Sequence, residues 1–168
     1  MKKAPLKIME QYREEQSDNC CNKWTKGYFT IEIGKGDNTY TDEWGMLTEI
    51  NGHSYDDKYI AASIMLGLID NYAYGFEFDF TSPSGVAEFM HCFGYCSDKK
   101  ACEVGLKAAD SLHKLHQALK EYWGEIDDYE LSRLREIHSD GAPELVMSVW
   151  DELVSKYFEF DFERDFVQ

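Results

Sequence analysis

Residues 55–72 form the most apolar segment of the chain, and this segment restricts the fold more than any other part of the sequence. Ile60, Ile64 and Leu68 recur at every fourth position, which is the spacing of one face of an α-helix. The stripe is widened by three further apolar residues, Ala61, Met65 and Ile69. We therefore expect a central, buried helix here, with Ser54 as its N-terminal cap.

The pentapeptide FEFDF occurs twice, at residues 76–80 and 158–162. Phenylalanine alternates with an acid in each copy, which is the two-residue period of a half-buried strand. We expect two strands of one antiparallel sheet, with the phenylalanines against helices and the acids in solvent. The C-terminal strand is expected inside the sheet, because a phenylalanine-rich edge invites aggregation. A diverged duplication with a shift of 82 residues is the alternative explanation.

Periodicity and turn residues predict the remaining elements. Further helices are expected at residues 4–15, 84–95, 100–123, 128–137 and 143–156. Further strands are expected at residues 28–33, 39–41 and 44–50, with a tight turn at Asn51 and Gly52. The sequence thus predicts an α+β fold: a small, mainly antiparallel sheet packed on one face by several helices, in a single domain of residues 1–168.

The strong negative charge limits the partners of the chain. Asp and Glu number 32 against 17 Lys and Arg, which gives a net charge of −15 at pH 7. Such a molecule repels a phosphate backbone and an anionic membrane, whereas a basic protein surface is electrostatically complementary. The acids are densest in residues 120–168, with 14 acidic and five basic side chains. Acidity that serves only solubility is the alternative explanation.

These features favour an acidic, non-enzymatic binding protein that blocks a basic protein surface. An immunity protein against a toxin fits this description, and so does an inhibitor that imitates nucleic acid to block a nuclease or defence complex. The predicted partner-binding residues are the C-terminal acids Asp127, Asp128, Glu130, Glu159, Asp161, Glu163 and Asp165. Four aromatic residues are candidates for a contact patch, Trp24, Tyr28, Tyr40 and Trp44.

The sequence assigns no catalytic residue and no cofactor. A metal-dependent hydrolase that uses carboxylate and histidine ligands is the alternative, because acid pairs such as Asp127 and Asp128 are numerous. Three cysteines follow closely on one another, Cys92, Cys96 and Cys102, yet no CxxC pair completes a zinc pattern. His113 and His116 lie three residues apart without an HExxH motif. Neither GxSxG nor a complete nucleotide-binding loop occurs. An inactive accessory subunit is the remaining alternative.

The expected location is the cytoplasm. The N-terminal lysines are not followed by the apolar segment of a secretory signal. The longest apolar stretch, residues 59–69, is about half the length that a bilayer span requires. The five cysteines leave at least one thiol without an internal partner, which suits a reducing compartment.

Overall fold

The computed structural model describes all 168 residues, from Met1 to Gln168. The N-terminal part consists of the strands β1 (Ala4–Ser17), β2 (Lys23–Ile33), β3 (Tyr40–Ile50) and β4 (His53–Ser54). The helices are α1 (Asp57–Glu77), α2 (Pro83–Cys92), α3 (Lys99–Trp123), α4 (Asp128–Asp140), α5 (Pro143–Met147), α6 (Trp150–Glu152) and α7 (Phe162–Asp165). A π-helical turn (Leu153–Tyr157) and the short strands β5 (Phe158–Glu159) and β6 (Phe166–Val167) complete the C-terminal part.

The strands form one mainly antiparallel sheet. Its order is β4-β3-β2-β1-β5, and β6 also pairs with β1. Strands β1 to β4 are antiparallel to their neighbours, whereas β5 and β6 run parallel to β1. The helices cover one face of this sheet, so the predicted α+β fold is confirmed.

Helix α1 lies at the centre of the core, as its apolar sequence predicts. Eleven of its residues are buried, and it contacts α3, α4 and α5. Gly67 brings it close to the sheet, because a methyl group there would lie 2.8 Å from the ring of Trp44. The expected cap is wrong: the Asp56 side chain accepts a hydrogen bond from the Lys58 amide, while Ser54 pairs with Glu49 in the sheet.

The predicted helix at residues 4–15 is wrong, because this segment is strand β1. Leu6 and Ile8 are buried against the helices, which is a period of two. The register with β2 shifts between Glu10 and Tyr12, leaving an extra residue, Gln11, in β1. Such a bulge reverses the alternation of the strand, so Tyr12 lies on the face opposite Leu6. The helix prediction rested on the spacing of Leu6, Met9 and Tyr12, but Leu6 faces the helices whereas Met9 and Tyr12 lie on the opposite face.

The two FEFDF copies adopt different conformations, which corrects the prediction of two paired strands. Phe76 and Glu77 form the last turn of α1, and residues 78–80 continue as a turn against α2. Phe158 and Glu159 form the two-residue strand β5, which lies at an edge of the sheet and is parallel to β1. The second copy then caps α7 with Asp161. The repeat is therefore not a repeated structural unit.

Most other predicted elements are present, with changed boundaries. Helices α2, α3 and α4 occupy the predicted regions, and the predicted strands at 39–41 and 44–50 are one strand, β3. The predicted helix at 143–156 is interrupted and becomes α5, α6 and the π-helical turn. Asn51 and Gly52 adopt the expected positive φ angles of 47° and 86°. None of the helices is long and apolar enough to span a membrane.

His116 is a buried titratable residue of the core and makes folding dependent on pH. Its Nδ1 lies 2.8 Å from the carbonyl oxygen of Tyr72, and its ring stacks on the Tyr72 ring at a centroid distance of 4.8 Å. Burial is the main cause that lowers the pKa of His116 below its usual 6.5. The folded protein therefore holds this imidazole neutral at pH values where the unfolded chain binds a proton.

We expect the free energy of unfolding to decrease as the pH falls below 6.5, because the unfolded state then binds more protons than the folded state. The stabilisation is fully present above that pH. Urea denaturation at about pH 7.5 and about pH 5.5 measures the effect. The variant His116→Gln keeps a hydrogen-bond donor but cannot titrate, so it should show a weaker pH dependence than the parent. Equal dependence in both proteins would contradict the assignment to His116.

Candidate partner-binding face and aromatic pocket

The seven acids that the sequence assigns to partner binding lie in two groups. Asp127, Asp128 and Glu130 surround the start of α4, and the other four, Glu159, Asp161, Glu163 and Asp165, surround α7. One acid in each group is a helix cap. Asp127 accepts hydrogen bonds from two amides of α4, and Asp161 accepts from two amides of α7. Each group of acids therefore surrounds the start of a different helix and includes the side chain that caps it.

Three of the seven acids already have basic partners within the chain. Glu130 pairs with Lys156, Glu159 lies 3.2 Å from the Lys35 ammonium, and Asp165 lies 2.8 Å from the Arg164 guanidinium. The remaining four are exposed and form no ion pair, Asp127, Asp128, Asp161 and Glu163. The negative charges of these four carboxylates are therefore the ones that remain available to a partner protein.

Basic neighbours lower the pKa of two of the paired acids, Asp165 and Glu130. The hydrogen bond from Arg164 is the largest influence on Asp165 and holds its pKa below the usual value. Burial, the largest single influence, would raise the pKa of Glu130, but the contact with Lys156 together with hydrogen bonds to Tyr157 and Glu152 lowers it. The seven C-terminal acids therefore comprise three carboxylates with a basic partner and four exposed carboxylates without one.

The sheet has a second face that no helix covers, and we call it the outer face. Its central residues come from three adjacent strands. They occupy every second position, except where an extra residue in β1 or in β3 shifts the register. They are Lys7, Met9, Tyr12 and Glu14 of β1, Trp24, Lys26, Tyr28, Thr30 and Glu32 of β2, and Thr41, Glu43, Gly45 and Leu47 of β3. The alternate residues of β2, including Phe29, Ile31 and Ile33, are buried against the helices.

A stacked pair of tyrosines lies at the centre of the outer face. Tyr12 and Tyr28 are register partners, and their ring centroids are 4.6 Å apart. Tyr12 is 56% exposed although it is a large aromatic side chain. The next position across the sheet, opposite Tyr28, is Gly45. Its missing side chain leaves space for Lys26. The Lys26 ammonium lies 5.3 Å from the Tyr28 ring centroid. Tyr28 is half-buried between its neighbours, and Tyr12 is the aromatic ring that this pair exposes to solvent.

The outer face continues into the C-terminal acidic group. Lys7 and Glu32 of the outer face line one cavity together with Glu159, Arg164 and Asp165. The structure therefore brings two acids of the α7 group, Glu159 and Asp165, next to the open side of the sheet.

The four aromatics predicted as one contact patch are divided between the two faces. Trp24 and Tyr28 belong to the outer face, whereas Tyr40 and Trp44 point towards the helices. There they enclose Asp42: its Oδ2 accepts hydrogen bonds from the Tyr40 hydroxyl at 3.3 Å and from the Trp44 Nε1 at 3.2 Å. Sequence reasoning missed Asp42, although Tyr40, Asp42 and Trp44 at alternate positions of one strand share a face.

Asp42 lies at the wall of an aromatic pocket between β3, α1, α2 and α3. The pocket has a volume of about 300 Å³ and is lined mainly by apolar side chains. Its aromatic walls are Tyr74 of α1, Phe89 of α2, and Phe93 and Tyr95 of the connection that follows. Asp42, Asn71 and Ser111 supply the polar atoms of the lining.

The end of α2 shapes this pocket. Gly94 has a φ of 74°, and the amides of Gly94 and Tyr95 donate to the carbonyl oxygens of His91 and Met90. This is a Schellman arrangement, which ends a helix and turns the chain back over its last turn. Tyr95 therefore packs 5.8 Å from Phe89, and the predicted helix ends at Cys92 instead of continuing to residue 95.

The cysteines and histidines do not form a metal site. All five cysteines are exposed free thiols, and no group of three or more His, Cys, Asp or Glu side chains that could hold a metal ion is present. Cys20 and Cys21 are the closest pair, with 3.1 Å between their sulfur atoms in the turn after β1. His116 contacts a backbone carbonyl in the core, so it does not meet His113 at a shared site.

Comparison of the chain with protein-family models, with curated proteins and with solved structures finds no match.

Proposed function

We propose that this chain is an acidic, non-enzymatic binding protein, and that the outer face of its sheet covers the basic surface of another protein. The partner is a nuclease, a toxin or a nucleic-acid-binding complex. The chain acts on it as an immunity protein or as an inhibitor that imitates nucleic acid. The observation that carries this proposal is the exposed Tyr12, stacked on the half-buried Tyr28 at the centre of a sheet face without helices.

Aromatic chemistry supports the choice of this face. Tyr and Trp are enriched among the residues that contribute most to binding, and such residues cluster near the centre of an interface. The tyrosine pair has this central position, and Trp24 and Leu47 extend the apolar area on either side of Lys26. Exposed apolar side chains grouped on one face, here Tyr12 and Leu47, commonly mark an interaction site.

Charge supports the choice of partner. The net charge of −15 attracts a basic surface over about one Debye length, which is roughly 8 Å at physiological salt. Glu14, Glu32 and Glu43 outnumber the two lysines of the outer face, Lys7 and Lys26. Glu159 and Asp165 adjoin this face through the shared cavity. Carboxylates around an aromatic centre match the usual interface, in which a polar rim surrounds a less charged core.

Affinity capture with variants tests this proposal. The immobilised protein should retain a basic host protein at about 50 mM salt and release it at about 500 mM. The double variant Tyr12→Ala/Tyr28→Ala should weaken this binding by about 30-fold or more, because it removes the aromatic centre of the interface. Tyr129→Ala is the matched control, since Tyr129 is 81% exposed on α4, and it should bind as the parent does.

Binding that the double variant leaves unchanged would contradict the assigned face. A captured protein that is acidic, or that stays bound at high salt, would contradict the proposed electrostatic basis. Circular dichroism of each variant verifies the fold, because the two tyrosines lie outside the main core.

A further inference from the structure

We propose that the aromatic pocket between β3, α1, α2 and α3 binds a small alkylated ammonium cation, with Asp42 as its counter-ion. The site lies on the helix-covered side of the sheet, away from the outer face. This inference is therefore independent of the function proposed above.

The first support is a carboxylate without a cationic partner. Asp42 is half-buried and receives hydrogen bonds from Tyr40, from Trp44 and from the backbone amide of Glu43 at 2.8 Å. All three donors are neutral. Ten ion pairs link other side chains of this protein, and none of them includes Asp42. A partly desolvated carboxylate with only neutral donors favours a nearby cation.

The second support is the aromatic wall. The rings of Tyr74 and Phe93 meet edge to face at 5.5 Å, and Phe93 lies 5.1 Å from Phe89. Aromatic rings attract cations through their quadrupole, and cages of such rings recognise quaternary ammonium groups. Asp42 adds a full negative charge to the lining of the same pocket.

The third support is that no basic residue lines the pocket. Arg135 lies 5.1 Å from the Tyr74 ring centroid, but its guanidinium is already paired with Asp70 and Glu77. The environment of Tyr40 is consistent with an unbalanced negative field. Burial raises the pKa of its hydroxyl, and the negative charges of Asp42 and Asp110 raise it further.

The apolar lining selects among cations. Seven of the ten lining residues are hydrophobic, so a ligand must lose most of its water to enter. A bare ammonium is strongly hydrated, and its dehydration is costly. Methyl groups on the nitrogen replace that hydration with contacts to the aromatic walls while the charge remains. The pocket is therefore expected to prefer a trimethylammonium group to a bare ammonium of similar size.

Calorimetric titration with choline and with 3,3-dimethylbutan-1-ol tests the site, because the alcohol has the same shape as choline without the charge. We expect choline to bind more tightly than the alcohol by about tenfold or more, as a desolvated cation–π contact implies. Asp42→Asn should remove most of this difference. Glu43→Gln is the matched control: it removes a charge at the next residue, which lies on the outer face, and should leave the preference intact.

Phe93→Ala provides a second variant, since Phe93 is 45% exposed and its removal leaves the main core intact. It should weaken choline binding while the thermal unfolding midpoint changes little. Three results would overturn the proposal: no binding of choline, equal affinity for choline and its neutral isostere, or equal loss of affinity in Asp42→Asn and Glu43→Gln.

Discussion

The change Phe158→Ala should lower the free energy of unfolding by about 3–5 kcal/mol, whereas Phe76→Ala should lower it by about 1 kcal/mol. The two residues occupy the same position in identical pentapeptides. Phe158 is fully buried, and its ring meets Trp123 at 5.2 Å in the main core. Phe76 is 43% exposed at the end of α1, where it touches Tyr72 and His116. Only the first substitution opens a cavity that the surroundings cannot fill.

Urea denaturation of both variants measures this difference, and each serves as the control for the other. The chemical change and the four following residues are the same, so unequal effects report the different structural environments of the two copies. Losses that agree to within about 1 kcal/mol would contradict the different roles of the two copies.

Gly75→Ala should destabilise the protein by about 1–3 kcal/mol, although alanine is the better helix former by about 1 kcal/mol. Gly75 lies inside α1 and faces α3. A methyl group at this position would lie 2.1 Å from the His116 ring, and that ring is held between Tyr72 and Phe76. The ring cannot retreat without loss of its hydrogen bond to the Tyr72 carbonyl.

A double-mutant cycle with His116→Ala isolates this contact. In the His116→Ala background, Gly75→Ala should be neutral or stabilising, because the space is then free and the helix propensity remains. Thermal or urea unfolding of the four proteins measures the coupling. A stabilising effect of Gly75→Ala in the parent would show that α1 and α3 are not in close contact at this point.

Long periodic segments were predictable from the sequence because their apolar residues repeat with one period over many positions. Helix α3 spans 25 residues, and its predicted limits agree with the structure to within one residue at the start. Its ends carry their own signals: Asp98 accepts a hydrogen bond from the Ala101 amide, and Gly124 ends the helix with a positive φ. Such helices are specified locally, so their neighbours do not alter them.

Segments of about five residues were not predictable in this way. The alternation in FEFDF is compatible with a strand, but α1 continues through Phe76 because that side chain packs beside Tyr72 and His116. Strand β1 is a similar case, because Leu6 lies on one face and Met9 and Tyr12 on the other, so their three-residue spacing is not a helical period. Contacts with residues distant in sequence decide such cases, and a pattern of a few residues is too short to outweigh them.

The candidate binding sites also combine features that the sequence predicts with contacts that only the tertiary structure provides. The acidity of the chain and its richness in aromatic residues follow from the sequence, and both already favour a basic or cationic partner. The sequence did not place Tyr12 beside Tyr28, or Asp42 beside the aromatic walls of α1 and α2. Strand register decides the first contact, and helix packing decides the second.

The sequence alone therefore determined the α+β class, the central helix and the negative charge, because these depend on periodicity and composition summed over many residues. Tertiary structure decided which aromatics face solvent, which carboxylates are paired and which lack a cationic partner. The physical reason is that a side chain's exposure and charge compensation depend on neighbours supplied by other elements. One shift of register or one bulge is enough to move it to the opposite face.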